Sequence, residues 1–156
     1  MSIKIYEGVI ESLGEKWNKG CYLEYANLNM VGGVRVRRRF LVTEEMDDIL
    51  QEVLQSGEKV KLHMTIMTQE TRSGALLALE RANGVVYALN PPAGTRTIKA
   101  WMSAILVLSL LTLPIGAGFV LLAIWWSTKK KLASTYALYD HLNSLQGAIR
   151  VDQDLK

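Results

Sequence analysis

The chain has 156 residues, of which 49% are hydrophobic, and it carries 18 basic and 15 acidic side chains. This length corresponds to about one domain, and the single cysteine, Cys21, excludes an internal disulfide and a cysteine-based metal cluster. Residues 1–98 hold 12 basic and 12 acidic side chains, so the net charge of +3 comes from residues 99–156 and does not indicate a nucleic-acid-binding domain.

Short runs of alternating apolar and polar residues predict strands in the first part of the chain. Residues 3–13 and 21–28 are the first two, and Gly8 predicts a bend in the first. Residues 34–42 are the clearest strand. Its apolar face is expected to carry Val34, Val36, Phe40 and Val42, and its other face Arg35, Arg37 and Arg39.

The periodicity then changes to that of a surface helix. Apolar residues recur at spacings of three and four from Met46 to Leu54, with Thr43 as the expected N-cap and Gly57 at the C-terminal stop. Residues 58–68 alternate again, which predicts a strand with His63 and Thr65 on its outer face. Two more strands follow at 75–82 and 85–89, joined by a tight turn at Asn83-Gly84.

The resulting order β-β-β-α-β-β is the element order of the OB-fold, a five-stranded Greek-key barrel, although other small α+β folds share it. The expected fold class is therefore α+β and mainly β. We expect a small OB-like β-barrel domain at residues 1–90, a Pro/Gly linker at 91–98, a transmembrane segment within 99–127, and a basic juxtamembrane amphipathic helix and tail at 128–156.

Residues 100–127 contain no charged side chain, no histidine and no side-chain amide. The most apolar part, residues 104–124, spans 21 residues. This is about 31 Å of helix and matches a hydrocarbon core of about 30 Å. Tryptophans are expected at the two membrane interfaces and lysines at the headgroups, namely Trp101, Trp125, Trp126, Lys99, Lys129, Lys130 and Lys131.

Pro114, Gly116 and Gly118 interrupt this segment and leave two arrangements open. A single span fits the bilayer, whereas a re-entrant hairpin turning at these residues would have arms too short to cross it. Thr112 and Gly116 form a pair of small residues that permits close helix packing. We expect the single span and hence a single-pass membrane location. Because the N-terminus lacks the pattern of a secretory signal, we expect the N-terminal domain in the cytoplasm.

A candidate ligand or partner face is predicted from Arg35, Arg37 and Arg39, which would project about 7 Å apart along one strand. On an OB-fold this strand belongs to the ligand-binding face, and Trp17 and Tyr22 lie in the neighbouring loop and strand. Three interpretations stay open: a solvated or internally paired face, contact with an acidic protein or anionic lipid, and single-stranded nucleic acid. The zero net charge of residues 1–98 disfavours the last.

No metal-binding or nucleophile motif occurs in the chain. His63 and His141 have no sequence partners, and Cys21 is expected to be a small buried residue within a strand. We therefore expect no catalytic, cofactor-binding or metal-binding residues and no enzyme activity.

These features together predict a membrane-anchored, non-enzymatic interaction or assembly module that self-associates or joins a multi-subunit membrane complex. One alternative is a membrane-tethered protein that binds single-stranded nucleic acid through an OB-like domain. Another is a small membrane regulator or inhibitor that acts through its hydrophobic segment. The expected partners are the lipid bilayer and a second copy or a membrane protein complex, with nucleic acid not favoured.

Overall fold

The structure, a computed structural model, describes residues 2–37, 39–66, 74–91, 94–112 and 117–151. The elements in chain order are β1 (Ser2–Leu13), β2 (Lys16–Asn18), β3 (Leu23–Tyr25), β4 (Leu28–Met30), β5 (Val34–Arg37), β6 (Phe40–Val42), α1 (Glu44–Ser56), β7 (Lys59–Ile66), β8 (Gly74–Glu80), β9 (Val86–Leu89), α2 (Thr95–Leu111), α3 (Ala117–Ser144) and β10 (Ile149–Val151). They form two units, the first comprising residues 1–90 and 144–156 and the second residues 91–143.

The strands of the first unit form one curled, half-barrel sheet. Its order is β2-β3-β6-β8-β7-β1-β4-β5, and β9 and β10 extend it from β8. Only two residues separate β5 from β6 in the chain, although the two strands lie far apart along this order. Because two residues bridge only about 10 Å, the sheet has to curl. The curled sheet fits the OB-like, barrel-like architecture expected from the sequence.

Strand β1 changes its partner along its length. Residues Ser2–Val9 pair antiparallel with β7, and residues Ile10–Leu13 pair antiparallel with β4, with an irregularity between Ile10 and Ser12. Gly8 lies just before the change, and a Cβ at this position would be in ordinary van der Waals contact with Met30, 3.5 Å from its Sδ. The predicted bend in this strand is thus explained by a switch from one neighbour to the next.

Helix α1 begins and ends where the sequence predicts. The side chain of Thr43 accepts a hydrogen bond from the backbone N–H of Met46 at 3.4 Å. At the other end Gly57 adopts the left-handed conformation, with φ of 63°, and donates its N–H to the carbonyl of Val53 at 3.1 Å. The apolar stripe of the helix packs into the core of the first unit, which also contains Leu28, Phe40, Leu62, Met64 and Leu79.

The predicted third strand at residues 34–42 is in fact two strands, because β5 pairs with β4 and β6 pairs with β3. Val36, Phe40 and Val42 are buried as expected, whereas Val34 is 52% exposed beside the β4–β5 turn. Alternation assigns a residue to a face of a strand, but only the neighbouring strands determine whether that face is covered.

Two further sequence expectations on the strands are wrong. Cys21 is exposed and lies in the turn between β2 and β3 rather than within a strand. His63 and Thr65, expected on an outer face of β7, are buried together with their inward neighbours. The side-chain hydroxyl of Thr65 accepts a hydrogen bond from the backbone N–H of Ala75 on β8.

The predicted single transmembrane helix is wrong, because the apolar segment is divided between α2 and α3. Among the described residues, none of the helices combines the length and the hydrophobicity that crossing a bilayer requires. Helix α2 has 17 residues, about 25 Å, and ends before Pro114, as is usual for a helix that approaches a proline. Helix α3 is longer, but its apolar part stops at Lys129.

The predicted single-pass membrane location is accordingly wrong. The break between α2 and α3 falls near Pro114, where the sequence predicts an interruption of the apolar segment. The separate C-terminal amphipathic helix is also wrong, because residues 128–144 continue α3 without a break. Beyond α3 the chain forms β10, which pairs parallel with β9 and was not predicted.

Candidate functional site

The second unit exposes an unusually large number of apolar side chains. Ten large hydrophobic residues of α2 and α3 are more than a third exposed, and we call them the apolar hairpin surface: Ile98, Trp101, Val107, Leu108, Leu110, Leu111, Phe119, Val120, Ile124 and Trp126. On α2 only one side is covered. Met102 and Ser109 are buried there, and their separation of seven residues places them on the same side of the helix.

The helix ends next to the apolar hairpin surface satisfy their backbone groups locally. The Thr112 hydroxyl donates to the carbonyl of Leu108 at 2.8 Å, and the N–H of Gly118 donates to the carbonyl of Thr112 at 3.2 Å. Gly118 is buried at the start of α3. Pro114 and Gly116, predicted as helix-packing positions, lie outside the described residues. The local hydrogen bonds explain how α2 and α3 can end among apolar residues.

Lys99 links the two helices of the second unit. Its Nζ lies 2.5 Å from Oδ1 of Asp140, and the same Nζ is 5.4 Å from the ring centroid of Tyr136 and 5.0 Å from that of Tyr139. A cation within about 6 Å of an aromatic ring is attracted by the ring. We call this group the Lys99 clasp. Lys99, which the sequence predicts at the lipid headgroups, is thus engaged in contacts within the second unit.

The other predicted headgroup lysines lie along α3. The Nζ of Lys129 is 4.5 Å from the ring centroid of Trp125, and the Nζ of Lys130 is 5.5 Å from that of Trp126. Each lysine follows its tryptophan by four residues, the spacing at which side chains meet on a helix. Lys131 is exposed. Two of the predicted interface tryptophans, Trp125 and Trp126, therefore contact two of the predicted headgroup lysines.

The predicted arginine face is distributed over two strands and the bend between them. Arg35 and Arg37 lie on β5, and their side chains are outside the described part of the structure. Arg39 lies just before β6, with its guanidinium carbon 5.9 Å from the ring centroid of Trp17. Tyr22 is half-buried in the turn before β3.

The surroundings of Trp17 are internally paired. Trp17 is opposite Glu24 in the β2–β3 ladder, and Glu24 is buried with its carboxylate 3.7 Å from the Nζ of Lys19. The guanidinium of Arg39 lies near the Trp17 ring, and Trp17 is 39% exposed. The three interpretations of this face stay predictions.

A buried polar network joins β3 to α1, and sequence reasoning missed it. The hydroxyl of Tyr25 donates to Oδ1 of Asp47 and accepts from the side-chain amide of Gln51 at 2.7 Å, while Lys16 donates to Oδ2 of Asp47 at 3.0 Å. Burial and the hydrogen bond to Asp47 raise the pKa of Tyr25 well above its ordinary value of 10.0. The partners are 22 residues apart, and no local pattern connects them.

The two histidines of the chain lie on different elements. Burial lowers the pKa of His141, which lies on α3, whereas His63 lies on β7. Within the described part of the chain no group of three or more His, Cys, Asp or Glu side chains is placed to hold a metal ion.

Comparison with protein-family models, with curated proteins and with solved structures gives no match for this chain.

Proposed function

We propose that this chain is a non-enzymatic interaction module that self-associates through the apolar hairpin surface. The observation that carries this proposal is the exposure of ten large hydrophobic side chains on α2 and α3. Monomeric soluble proteins rarely leave a contiguous apolar patch larger than a few hundred Å² uncovered. Covering such a surface is favourable by about 25 cal/mol for each Å² removed from water.

The apolar hairpin surface contains large side chains that could anchor a dimer. Three of its members, Trp101, Phe119 and Trp126, are aromatic and at least three-fifths exposed, and aromatic side chains each bury roughly 150–250 Å² when covered. A standard interface buries about 800 Å² on each partner. Because the ten side chains lie on more than one side of the two helices, a single partner covers only part of this set at a time.

Its charge distribution favours a second copy of the chain as the partner. Residues 100–127 contain no charged side chain. In a two-fold symmetric dimer the same patch is used by both subunits, and like charges placed across such an interface would be costly. An uncharged patch avoids this repulsion, so the surface can pair with its own copy.

Sedimentation velocity of the full chain over a dilution series tests the proposal. We expect a dimer or larger species that dissociates on dilution. Leu111→Gln places a polar group at the most exposed member of the surface, 72% exposed. Because a symmetric dimer contains the side chain twice, association is expected to weaken roughly ten- to a hundredfold. The matched control is Ile5→Gln on β1, which is 56% exposed and lies outside the surface.

Three results would contradict self-association through this surface. The first is a monomer at every concentration. The second is a weakening by Ile5→Gln as large as that by Leu111→Gln. The third is a chain that floats with phosphatidylcholine vesicles as a monomer, because lipid would then cover the surface in place of a second copy.

A further inference from the structure

One side of α2 carries a continuous row of exposed residues. Trp101, Ala104, Leu108 and Leu111 follow one another at spacings of three, four and three, and all four are exposed. This is the spacing of side chains that pack against a neighbouring helix. We call these four residues the α2 stripe.

Helix α3 offers a shorter apolar surface. Its exposed apolar residues extend from Phe119 to Trp126, and three consecutive lysines, at 129–131, follow within one turn. A helix packed along α3 would meet these charges, whereas the α2 stripe is uncharged over its whole length. The α2 stripe is therefore the better seam for a second copy.

We propose that two copies pair through their α2 stripes in antiparallel orientation, which rests on the self-association proposed above. With the two-fold axis near Leu106, Trp101 faces Leu111 of the second copy. Ala104 faces Leu108 of the second copy. Residues 101 and 111, and likewise residues 104 and 108, are centred on residue 106, so one two-fold axis produces both contacts.

The sizes of the four side chains favour this orientation. The antiparallel pair places the small Ala104 opposite Leu108, which fills the contact with one small and one large side chain, and it places Trp101 opposite the smaller Leu111 instead of opposite its own copy. A parallel pair would place Ala104 opposite its own copy and leave a gap, while the two copies of Trp101 would compete for the same space. Overpacking and cavities both weaken a packed interface.

The helix dipoles also favour the antiparallel orientation of the two α2 helices. Each α2 carries a partial positive charge at its N-terminus and a partial negative charge at its C-terminus. An antiparallel pair brings opposite ends together. A parallel pair would bring together the two N-termini, each with Lys99 in its second turn.

A size exchange within the stripe tests the pairing, with dimer affinity of the full chain as the readout. Leu108→Ala leaves a gap and Ala104→Leu overfills the contact, so each is expected to weaken the dimer roughly tenfold or more. The double variant Ala104→Leu/Leu108→Ala restores one large and one small side chain and is expected to recover to within roughly threefold of the native affinity. Leu110→Ala provides the comparison, because Leu110 and Leu108 are 54% and 52% exposed on different sides of α2. We expect Leu108→Ala to weaken the dimer at least fivefold more than Leu110→Ala.

Disulfide trapping gives a second, independent readout. In a Cys21→Ser background, one preparation carries Trp101→Cys and a differently tagged preparation carries Leu111→Cys. The mixture is expected to form mixed disulfides at several times the yield of either variant alone. Phe119→Cys on α3 is the comparison.

Each result distinguishes the orientation from the self-association itself. Loss of rescue in the double variant, or self-trapping of Trp101→Cys and Leu111→Cys above the mixed yield, would overturn the antiparallel pairing while the dimer persists. A disulfide yield of Phe119→Cys above the mixed yield of Trp101→Cys and Leu111→Cys would place the dimer contact on α3. This result would also overturn the antiparallel pairing of the α2 stripes. A chain that stays monomeric would overturn the proposed function together with this pairing.

Discussion

Replacing Tyr25 with phenylalanine measures how strongly the buried polar network holds α1 on the sheet. The substitution removes only the hydroxyl, because a phenylalanine ring can keep the stacking of Tyr25 on Phe40, whose ring centroids are 5.4 Å apart. The Asp47 carboxylate is buried and would keep Lys16 as its donor on Oδ2 while losing the donor on Oδ1. A buried carboxylate oxygen is thereby left without its partner.

The expected cost follows from this loss. A hydrogen bond to a charged group contributes about 1.5–3 kcal/mol to stability, and an unsatisfied buried acceptor costs a similar amount. Gln51 is only half-buried, so its amide can turn to water at little cost. We expect Tyr25→Phe to lower the free energy of unfolding by about 2–3 kcal/mol, measured by urea denaturation.

The control is a double-mutant cycle with Asp47→Asn. In the Asp47→Asn background the hydroxyl no longer meets a charged acceptor, so Tyr25→Phe is expected to cost less than half as much. The reasoning is refuted if Tyr25→Phe costs under about 0.5 kcal/mol, the range of neutral surface substitutions. An equal cost in both backgrounds would refute it too, because the effect would then not pass through Asp47.

The same network predicts a dependence on alkaline pH. The pKa of Tyr25 is raised in the folded chain above its ordinary value of 10.0, first by burial and then by Asp47. The folded state therefore holds the phenol proton more tightly than the unfolded state. This contribution to stability is fully present below pH 10 and is lost as the pH rises above it. The free energy of unfolding is expected to fall above pH 10 less steeply in Tyr25→Phe than in the native chain.

Two further substitutions test the helix end and the Lys99 clasp. Gly57→Ala forces a side chain into the left-handed conformation with φ of 63°, and we expect a loss of about 1 kcal/mol in urea denaturation; a loss under half of this would contradict the capping role. Lys99→Met removes the ion pair with Asp140 and both ring contacts. We expect about 1–2 kcal/mol less protection of α2 amides in hydrogen exchange. Asp140→Asn should have less than half that effect, and an equal effect would show that the rings contribute nothing.

The strands and α1 were predictable where their patterns are local. The signals that define α1 all lie in one continuous stretch of sequence. They are the N-cap Thr43, the helical spacing of apolar residues from Met46 to Leu54, and Gly57 at the C-terminal end. The break after Arg37 was not predictable in the same way. It depends on a change of partner, because β5 pairs with the preceding strand β4, whereas β6 pairs with β3 and β8.

The error on the apolar segment has a different physical origin. Hydropathy measures the composition of residues 104–124 but not whether their helix is continuous, and Pro114 lies close to the centre of this range. The residues of the apolar hairpin surface were identifiable from the sequence as hydrophobic. That Leu108 and Leu111 are exposed while Met102 is buried depends on the folded structure.

The two units differ in how their polar and apolar groups are satisfied, and this difference supports the proposed self-association through the second unit. In the first unit, charged side chains pair within the unit: Arg81 lies 2.6 Å from Glu58 and 2.9 Å from Glu52, and Lys61 lies 2.8 Å from Glu80. Charges paired in this way contribute little attraction for an ionic partner. The second unit keeps its charge in the Lys99 clasp and along α3 and leaves its large apolar side chains uncovered. Since the free energy of association comes mainly from covering apolar area, the second unit is where a partner gains most.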